Sequence, residues 1–491
     1  MKKQLFAILA FLLASYVPLT AQSFGDEDDL FGGDDDTVDE WEASDTSSST
    51  TGATSDLRHG VLFEDGSVKV GGKLTSKLAT STVIVSDDEN SFGDNLKDTT
   101  LTPTLTSLLS VDARPTQTLR IYTKFGMSVP FTTTATTTTT GTTYLGSTYY
   151  SSSTTVSDWL SMEECFTDFS AGDRVYFRFG LHTVSWGTGY FFSPVSDIIN
   201  TSSIDPENPD DTVSGALNLR TQITFPGTQN CIWLYVIPST DFASGSTNYA
   251  RDTGLAAKGE ILLGDWELGA GGYYRYADSP KVMLTATGSL LNIGIFGEAV
   301  YQYGSSAQWT SNPDDWSNKE NVFKLTAGIN RYWSTPKITL AAQYYYDSEK
   351  DDYEKNVSKA ATYINLLAAS GTYSYKKALT SIALLEYQNF MAGHNMAALL
   401  NFGRVFGTTD VTASVYGILH IGTLPDSMDS VLEQANVSTD VLDFALASAS
   451  LAYSPIDEFT VSAGPYLTWT SFNDYPTVSF NISATLGGGS F

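Results

Sequence analysis

Beyond its first 21 residues this 491-residue chain has no run of 18 apolar residues, so no membrane-spanning helix is expected. Charge is scarce at 17% of residues, and cations are scarcer, with 27 Lys and Arg against 55 Asp and Glu. That balance argues against nucleic acid, a polyanion that rewards basic surfaces. Cysteine is nearly absent, with only Cys165 and Cys231. The strand pattern puts three strand steps between them, about 14 Å across a flat sheet, which is beyond disulfide reach and favours two separate thiols. There are four histidines, His59, His182, His394 and His420. No metal-ligand spacing, phosphate loop or Gly-x-Ser-x-Gly accompanies them. His182 and Ser185 lie three apart, on opposite faces of a strand, which spoils a nucleophile–base pair. No catalytic residue, metal or cofactor is expected.

Aromatic residues are plentiful, at 13%, with 27 Tyr, 26 Phe and 9 Trp. Such rings suit the two interfacial belts of a membrane protein. Lys2 and Lys3, the apolar stretch from Leu5 to Leu13, and the small Ala21 read as a signal peptide over 1–21. Residues 22–56 hold twelve acidic and no basic residues in a Gly/Ser/Thr-rich setting, a composition that cannot bury enough apolar surface to order itself. This leader is expected to be disordered and periplasmic. The remaining 57–491 form one unit of net charge −18.

That unit repeats a hairpin of alternating apolar and polar residues. Val68, Val70, Leu74 and Leu78 share one face of a strand, and Lys69, Lys73 and Lys77 the other. Leu119, Ile121, Phe125 and Met127 oppose Arg120 and Lys124. Val175, Phe177, Phe179 and Leu181 oppose Arg178 and His182. Leu217, Leu219 and Ile223 oppose Asn218, Arg220 and Gln222. The period continues through Leu268 against Glu267, Ile295 against Glu298, Leu325 against Lys324, Leu340 against Gln343, and Val478 to Leu486 at the end. The stretch 396–402 is apolar on both faces, as is 360–369, so each is expected to pack against a plug or an inward-folded loop.

Short turns rich in Gly, Pro and Asp alternate with long polar stretches, the pattern of short periplasmic turns and longer external loops. The Thr/Ser/Gly/Tyr stretch 131–157 is expected to be a mobile external loop. The fold class is therefore all-β, a transmembrane antiparallel up-and-down barrel of about 20 strands, range 16–20. An even count returns the chain end to the periplasm. Phe491 has the wrong parity for the last apolar stripe, and a bulge at Gly487–Gly489 is expected to reset the phase.

Within "VYFRFGLHTVSWGTGYFFSPVSDIIN" the residues Arg178, Gly180, Trp186, Gly187, Pro194 and Asn200 resemble a segment of Gram-negative porin-like outer-membrane families, where an R-x-G strand ends in Trp-Gly and leads into a loop. "IDPENPDD" and "LRTQITFPG" resemble the acidic loop and return strand that follow. A Leu-His pair stands where the pattern carries Gln. The resemblance implies a passive channel for small polar solutes or ions, narrowed by an external loop folded inward.

On this reading Lys69, Lys73, Lys77, Arg120, Lys124, Arg178, His182 and Arg220 line one wall of the pore. Asp197, Asp205, Glu207, Asp210 and Asp211 sit on the constriction loop, setting a transverse field. Trp186 and Trp266 are expected to be girdle anchors rather than selectivity aromatics. The expected partners are outer-membrane lipid, the barrel-assembly machinery through the last strand, small solutes and a second copy of the chain. Two alternatives follow from the same residues. One is an uptake barrel for apolar substrates, suggested by the doubly apolar segments. The other is a surface adhesin using 131–157.

Overall fold

The computed structural model describes residues 63–65, 67–85, 99–129, 134–144, 147–157, 159–184, 186–199, 216–239, 250–305, 309, 312–349, 393–421, 443–456, 458–470 and 476–490. Its strands are β1 (Phe63–Asp65), β2 (Val68–Val85), β3 (Thr100–Thr116), β4 (Leu119–Ser128), β5 (Thr134–Tyr144), β6 (Ser147–Ser157) and β7 (Leu160–Ala171). There follow β8 (Val175–His182), β9 (Ala216–Thr224), β10 (Cys231–Ile237), β11 (Gly254–Leu263), β12 (Trp266–Tyr274), β13 (Lys281–Leu290) and β14 (Ile293–Tyr303). The last seven are β15 (Asn321–Ser334), β16 (Lys337–Asp347), β17 (Gly393–Phe402), β18 (Val411–Ile421), β19 (Asp443–Ile456), β20 (Phe459–Thr470) and β21 (Thr477–Ser490).

All but β5 and β6 belong to one 19-stranded antiparallel sheet. The three-residue β1 only flanks the start of β2. The other eighteen close on themselves, because β21 pairs with β2 from Lys73 to Val85 while β2 pairs with β3 on its other side. Eighteen falls inside the range expected from the hairpin count.

The ring forms because each strand carries an apolar stripe on its outer face. Leu284 of β13 points outward and is 56% exposed, while its neighbours in sequence, Met283 and Thr285, are buried inside. Leu74, Leu255, Leu325 and Ile482 are likewise exposed on the outside. Register carries parity from strand to strand: Lys258 on β11 lies opposite Gly271, Gly271 opposite Met283, and Met283 opposite Val300. An outward apolar band around a closed ladder leaves no unpaired backbone facing hydrocarbon.

The expected bulge is present. Lys73 lies opposite Ser490 and Thr75 opposite Gly487, so β21 spends three steps where β2 spends two. Gly487 has φ +89°, a left-handed conformation that glycine adopts without steric cost. A Cβ there would run into the Leu74 carbonyl.

Within the stretch 131–157, expected to be an external loop, Thr134–Tyr144 and Ser147–Ser157 pair as a two-stranded ribbon separate from the ring's sheet. Thr and Ser recur at both odd and even positions of the two strands, so no apolar alternation marks them. The β-branched threonines nevertheless favour the extended backbone.

The inside/outside assignment has a direct test. Leu284→Arg, on the lipid face, is expected to lower folding stability in bilayers by about 2–4 kcal/mol. The inward Gln222→Arg is expected to change it by far less. Urea titrations of the two variants refolded into vesicles make the comparison, and equal losses would invert the assignment.

Candidate functional site

The inner face divides into a charged arc, an arc that carries a loop, and a hydroxyl-rich arc. Register places Lys69, Lys73 and Lys77 on the inner face of β2, Arg120 and Lys124 on that of β4, Arg178 and His182 on that of β8, and Arg220 on that of β9. These residues share one arc but are not equivalent. Arg120 pairs with Asp112 at 3.1 Å and with Asp168 at 3.7 Å. Arg178 binds Asp168 through two hydrogen bonds, at 2.7 and 3.1 Å, and lies 4.0 Å from the Phe166 ring centroid. Lys124 pairs with Glu163 at 3.5 Å.

The partners of these three cations therefore sit on β3 and β7 of the same wall, not on a facing loop. Arg220 lies over the Trp233 ring. His182 is wholly buried beside Phe166, beneath the surface a solute would meet. Among the described residues, Lys73 and Lys77 have no ion-pair partner, and both are only partly buried.

After β8 the chain turns inward. Residues 183–199 run along the inside of β10 to β19, ending in a short 3-10 turn at Ser196–Ile198. Three inward polar side chains from distant strands hold this segment. Lys258 of β11 donates to the Trp186 carbonyl and pairs with Glu260 at 2.6 Å. The Glu298 carboxylate on β14 accepts from the backbone N–H of Thr188, of Gly189 at 2.6 Å and of Val195 at 2.9 Å, and from the Ser193 hydroxyl at 3.0 Å. On β16, the Gln343 Oε1 accepts from the N–H groups of Tyr190, Phe191 and Phe192 at 3.1, 2.7 and 3.3 Å. Its Nε2 donates back to the Phe192 carbonyl at 2.6 Å. A non-repetitive backbone buried in a barrel must find such partners, since each unmade hydrogen bond costs about 1–3 kcal/mol.

Apolar packing completes the attachment. Phe191 and Phe192 join Ala341, Tyr345, Ala397, Leu399, Tyr416, Ile418 and Leu446 in one buried cluster. This explains the doubly apolar 396–402: Ala397 and Leu399 face the loop, while Met396 on the other face is exposed outward. The corresponding expectation for 360–369 lies outside the described residues.

The motif residues build this loop. Gly180 has φ +141°, and a Cβ on it would strike the Cys165 carbonyl on β7. Trp186 is buried, donates its Nε1–H to the Val195 carbonyl at 2.7 Å and packs edge-on against Tyr235. It is a strut inside the barrel and not a girdle anchor, which corrects the expectation from sequence. The cause is that its polar edge finds a partner within its own loop. Trp266 begins β12 on the outward parity. Gly187 sits against Ser193 and Glu298, and Pro194 is buried. Asn200 lies outside the described residues, as do Asp205, Glu207, Asp210 and Asp211. Asp197 is exposed, and its charged neighbours are Lys324, Glu298 and Asp347. Lys324 itself pairs with Asp347 at 3.0 Å and with Glu349 at 2.7 Å.

The alternation in sequence places Glu298 and Gln343 inside the barrel without marking them as anchors, and nothing local marks Lys258. The signal was an inward carboxylate or amide whose directly opposite neighbours carry no charge. Glu298 lies between Thr285 and Thr326, and Gln343 between Gly328 and Ala397.

The third arc is neutral. Ser414 and Ser450 share a hydrogen bond at 3.1 Å, and Ser462 and Ser483 one at 2.8 Å, across β18–β19 and β20–β21. The two cysteines are free. Cys165 faces outward on β7 and Cys231 inward on β10, three strand steps away.

No family model and no curated protein matches the chain. Among solved structures, the chain is similar to the outer membrane protein opdK of Pseudomonas aeruginosa, with TM-score 0.45 and 8% identity over 86% of this chain and 99% of that one. It is similar to OccK2 (OpdF) of the same organism in complex with glucuronate, at 0.45 and 9% over 85% and 97%. OccAB4 of Acinetobacter baumannii gives 0.43 and 7% over 86% and 98%.

The anchoring scheme is separable by hydrogen exchange. Gln343→Ala is expected to speed exchange of the 190–192 amides about 5- to 150-fold, the equivalent of a 1–3 kcal/mol loss, with Gly189 still protected. Glu298→Ala is expected to give the reverse pattern. Uniform protection in both variants would show that the side chains do not hold the loop.

Proposed function

We propose that this protein is an outer-membrane channel through which small polar solutes or ions diffuse passively, with its acidic leader in the periplasm. The reading rests on one observation: a closed ring whose outside is apolar and whose inside carries charge, with segment 183–199 fastened across that inside. Charge facing a water-filled lumen is tolerable and selective, whereas on the lipid face it costs energy. The loop narrows the passage. The partners proposed with this role are membrane lipid, the assembly machinery at the last strand, the permeating solutes and a second copy of the chain.

Solutes would feel the charged arc mainly through Lys73 and Lys77. Arg120, Arg178 and Lys124 are largely neutralised by carboxylates on their own wall. Purified protein in planar bilayers is expected to give stepwise, ohmic currents. Lys73→Glu with Lys77→Glu is expected to move the reversal potential in a salt gradient towards cation preference. Silent bilayers at several voltages would remove the channel reading, and an unchanged reversal potential would remove those lysines from the pore wall.

A second reading, uptake of an apolar substrate, draws on the aromatic cluster of Phe191, Phe192, Tyr345 and Tyr416. These rings are consumed in packing the loop to the wall, so the polar-solute reading is preferred.

A further inference from the structure

Three neighbouring connections at the end of the barrel opposite the short turns meet around a tryptophan that the channel does not use. The connection from β14 to β15 carries Trp309 and Trp316. Trp309 is 2% exposed, donates its Nε1–H to the Tyr303 carbonyl at 2.6 Å and lies under the Lys319 ammonium at 4.2 Å. Trp316 is 50% exposed and meets Trp309 edge to face, with centroids 4.6 Å apart and planes at 76°. Its backbone is fixed on both sides. The Tyr303 hydroxyl donates to the Trp316 carbonyl at 2.7 Å, and Asp315 accepts from the N–H and hydroxyl of Ser317 at 2.9 and 2.7 Å. An exposed indole held this firmly loses little freedom on binding a partner.

Polar groups occupy the same connection and its neighbours. Asp314, exposed, accepts from the Tyr276 hydroxyl at 3.2 Å, and the Arg251 guanidinium lies 4.2 Å from the Tyr276 ring and pairs with Asp252 at 2.8 Å. These residues bring the connections after β10 and β12 to the one carrying Trp316. Charge of both signs is present, and Asp314 and Asp315, both exposed, immediately precede Trp316 in the chain.

We propose that Trp316, with Asp314 and Tyr276, is an external binding site for a neutral saccharide, separate from the pore. An indole offers an apolar face to the C–H side of a sugar ring, while carboxylate and phenol oxygens take up its hydroxyl hydrogen bonds. Anionic headgroups are disfavoured by the two carboxylates that precede Trp316 in the same connection, and a purely apolar partner covering that connection would leave those carboxylates desolvated. The sugar's source is either a soluble glycan or the saccharide of an outer-leaflet glycolipid.

The test uses the full chain refolded in a detergent with no sugar headgroup, titrated with maltohexaose and chitotriose by calorimetry and saturation-transfer NMR. Saturable binding of either is expected, weakened about tenfold or more in Trp316→Ala and in Asp314→Ala, and unchanged in Lys337→Ala, at the short-turn end of β16. Heat-modifiable gel mobility verifies that each variant is folded. A second arm compares binding to vesicles with and without a neutral glycolipid; preference for the former assigns the membrane source and also supports the site. Absence of saturable binding in both arms overturns the proposal, as does equal binding by the parent and Trp316→Ala. If Trp316→Ala lowers partition into plain phospholipid vesicles without any saccharide binding, Trp316 is an interfacial anchor and the proposal fails.

Discussion

A backbone placed in hydrocarbon has no water to satisfy its N–H and C=O groups, and every part of this structure follows from the pairing of β21 with β2 that removes the last free edge. Closure converts a linear alternation into an inside and an outside. It also fixes which inward residues become neighbours, because each ladder passes its parity to the next strand except where a bulge shifts it. The bulge at Gly487 matters for that reason: it absorbs one residue at the joint between the two ends of the chain, where parity must be restored.

Within the closed ring, Glu298 and Gln343 face a region where the strands offer only hydroxyls, glycine and alanine as neighbours. Residues 183–199 have the opposite deficit, a row of N–H groups with no helix or sheet to receive them. Each deficit answers the other. The carboxylate and the amide sit like two brackets along the wall, and the loop hangs from them, with Phe191 and Phe192 filling the space behind. The shape of the passage is thus set by hydrogen bonds between residues more than 100 positions apart in sequence.

The charged arc is organised differently. Asp112, Arg120, Asp168 and Arg178 alternate across β3, β4, β7 and β8, so much of its charge cancels within the wall. Lys73 and Lys77, on the strand that closes the ring, stand apart from this zipper. A wall rich in basic residues therefore carries less uncompensated charge than its composition implies.

Much of this was legible in the chain. The apolar stripes from Val68 to Leu486, the opposite parity of Arg120, Lys124, Arg178 and Lys324, and the need for a bulge near Gly487 all follow from a period of two, which is a local property. The ribbon at β5 and β6 was not legible, because threonine on both faces erases the alternation that marks a strand. Nor was the place of Trp186, whose girdle-like composition says nothing about a carbonyl nine residues away in a loop. The sequence by itself determined a barrel and its two faces, since alternation needs no knowledge of distant residues. Only the tertiary structure decided which inward groups are spent in ion pairs, which hold the loop and which stay open to the lumen. Those outcomes depend on register between strands, and register is set only when the ring closes.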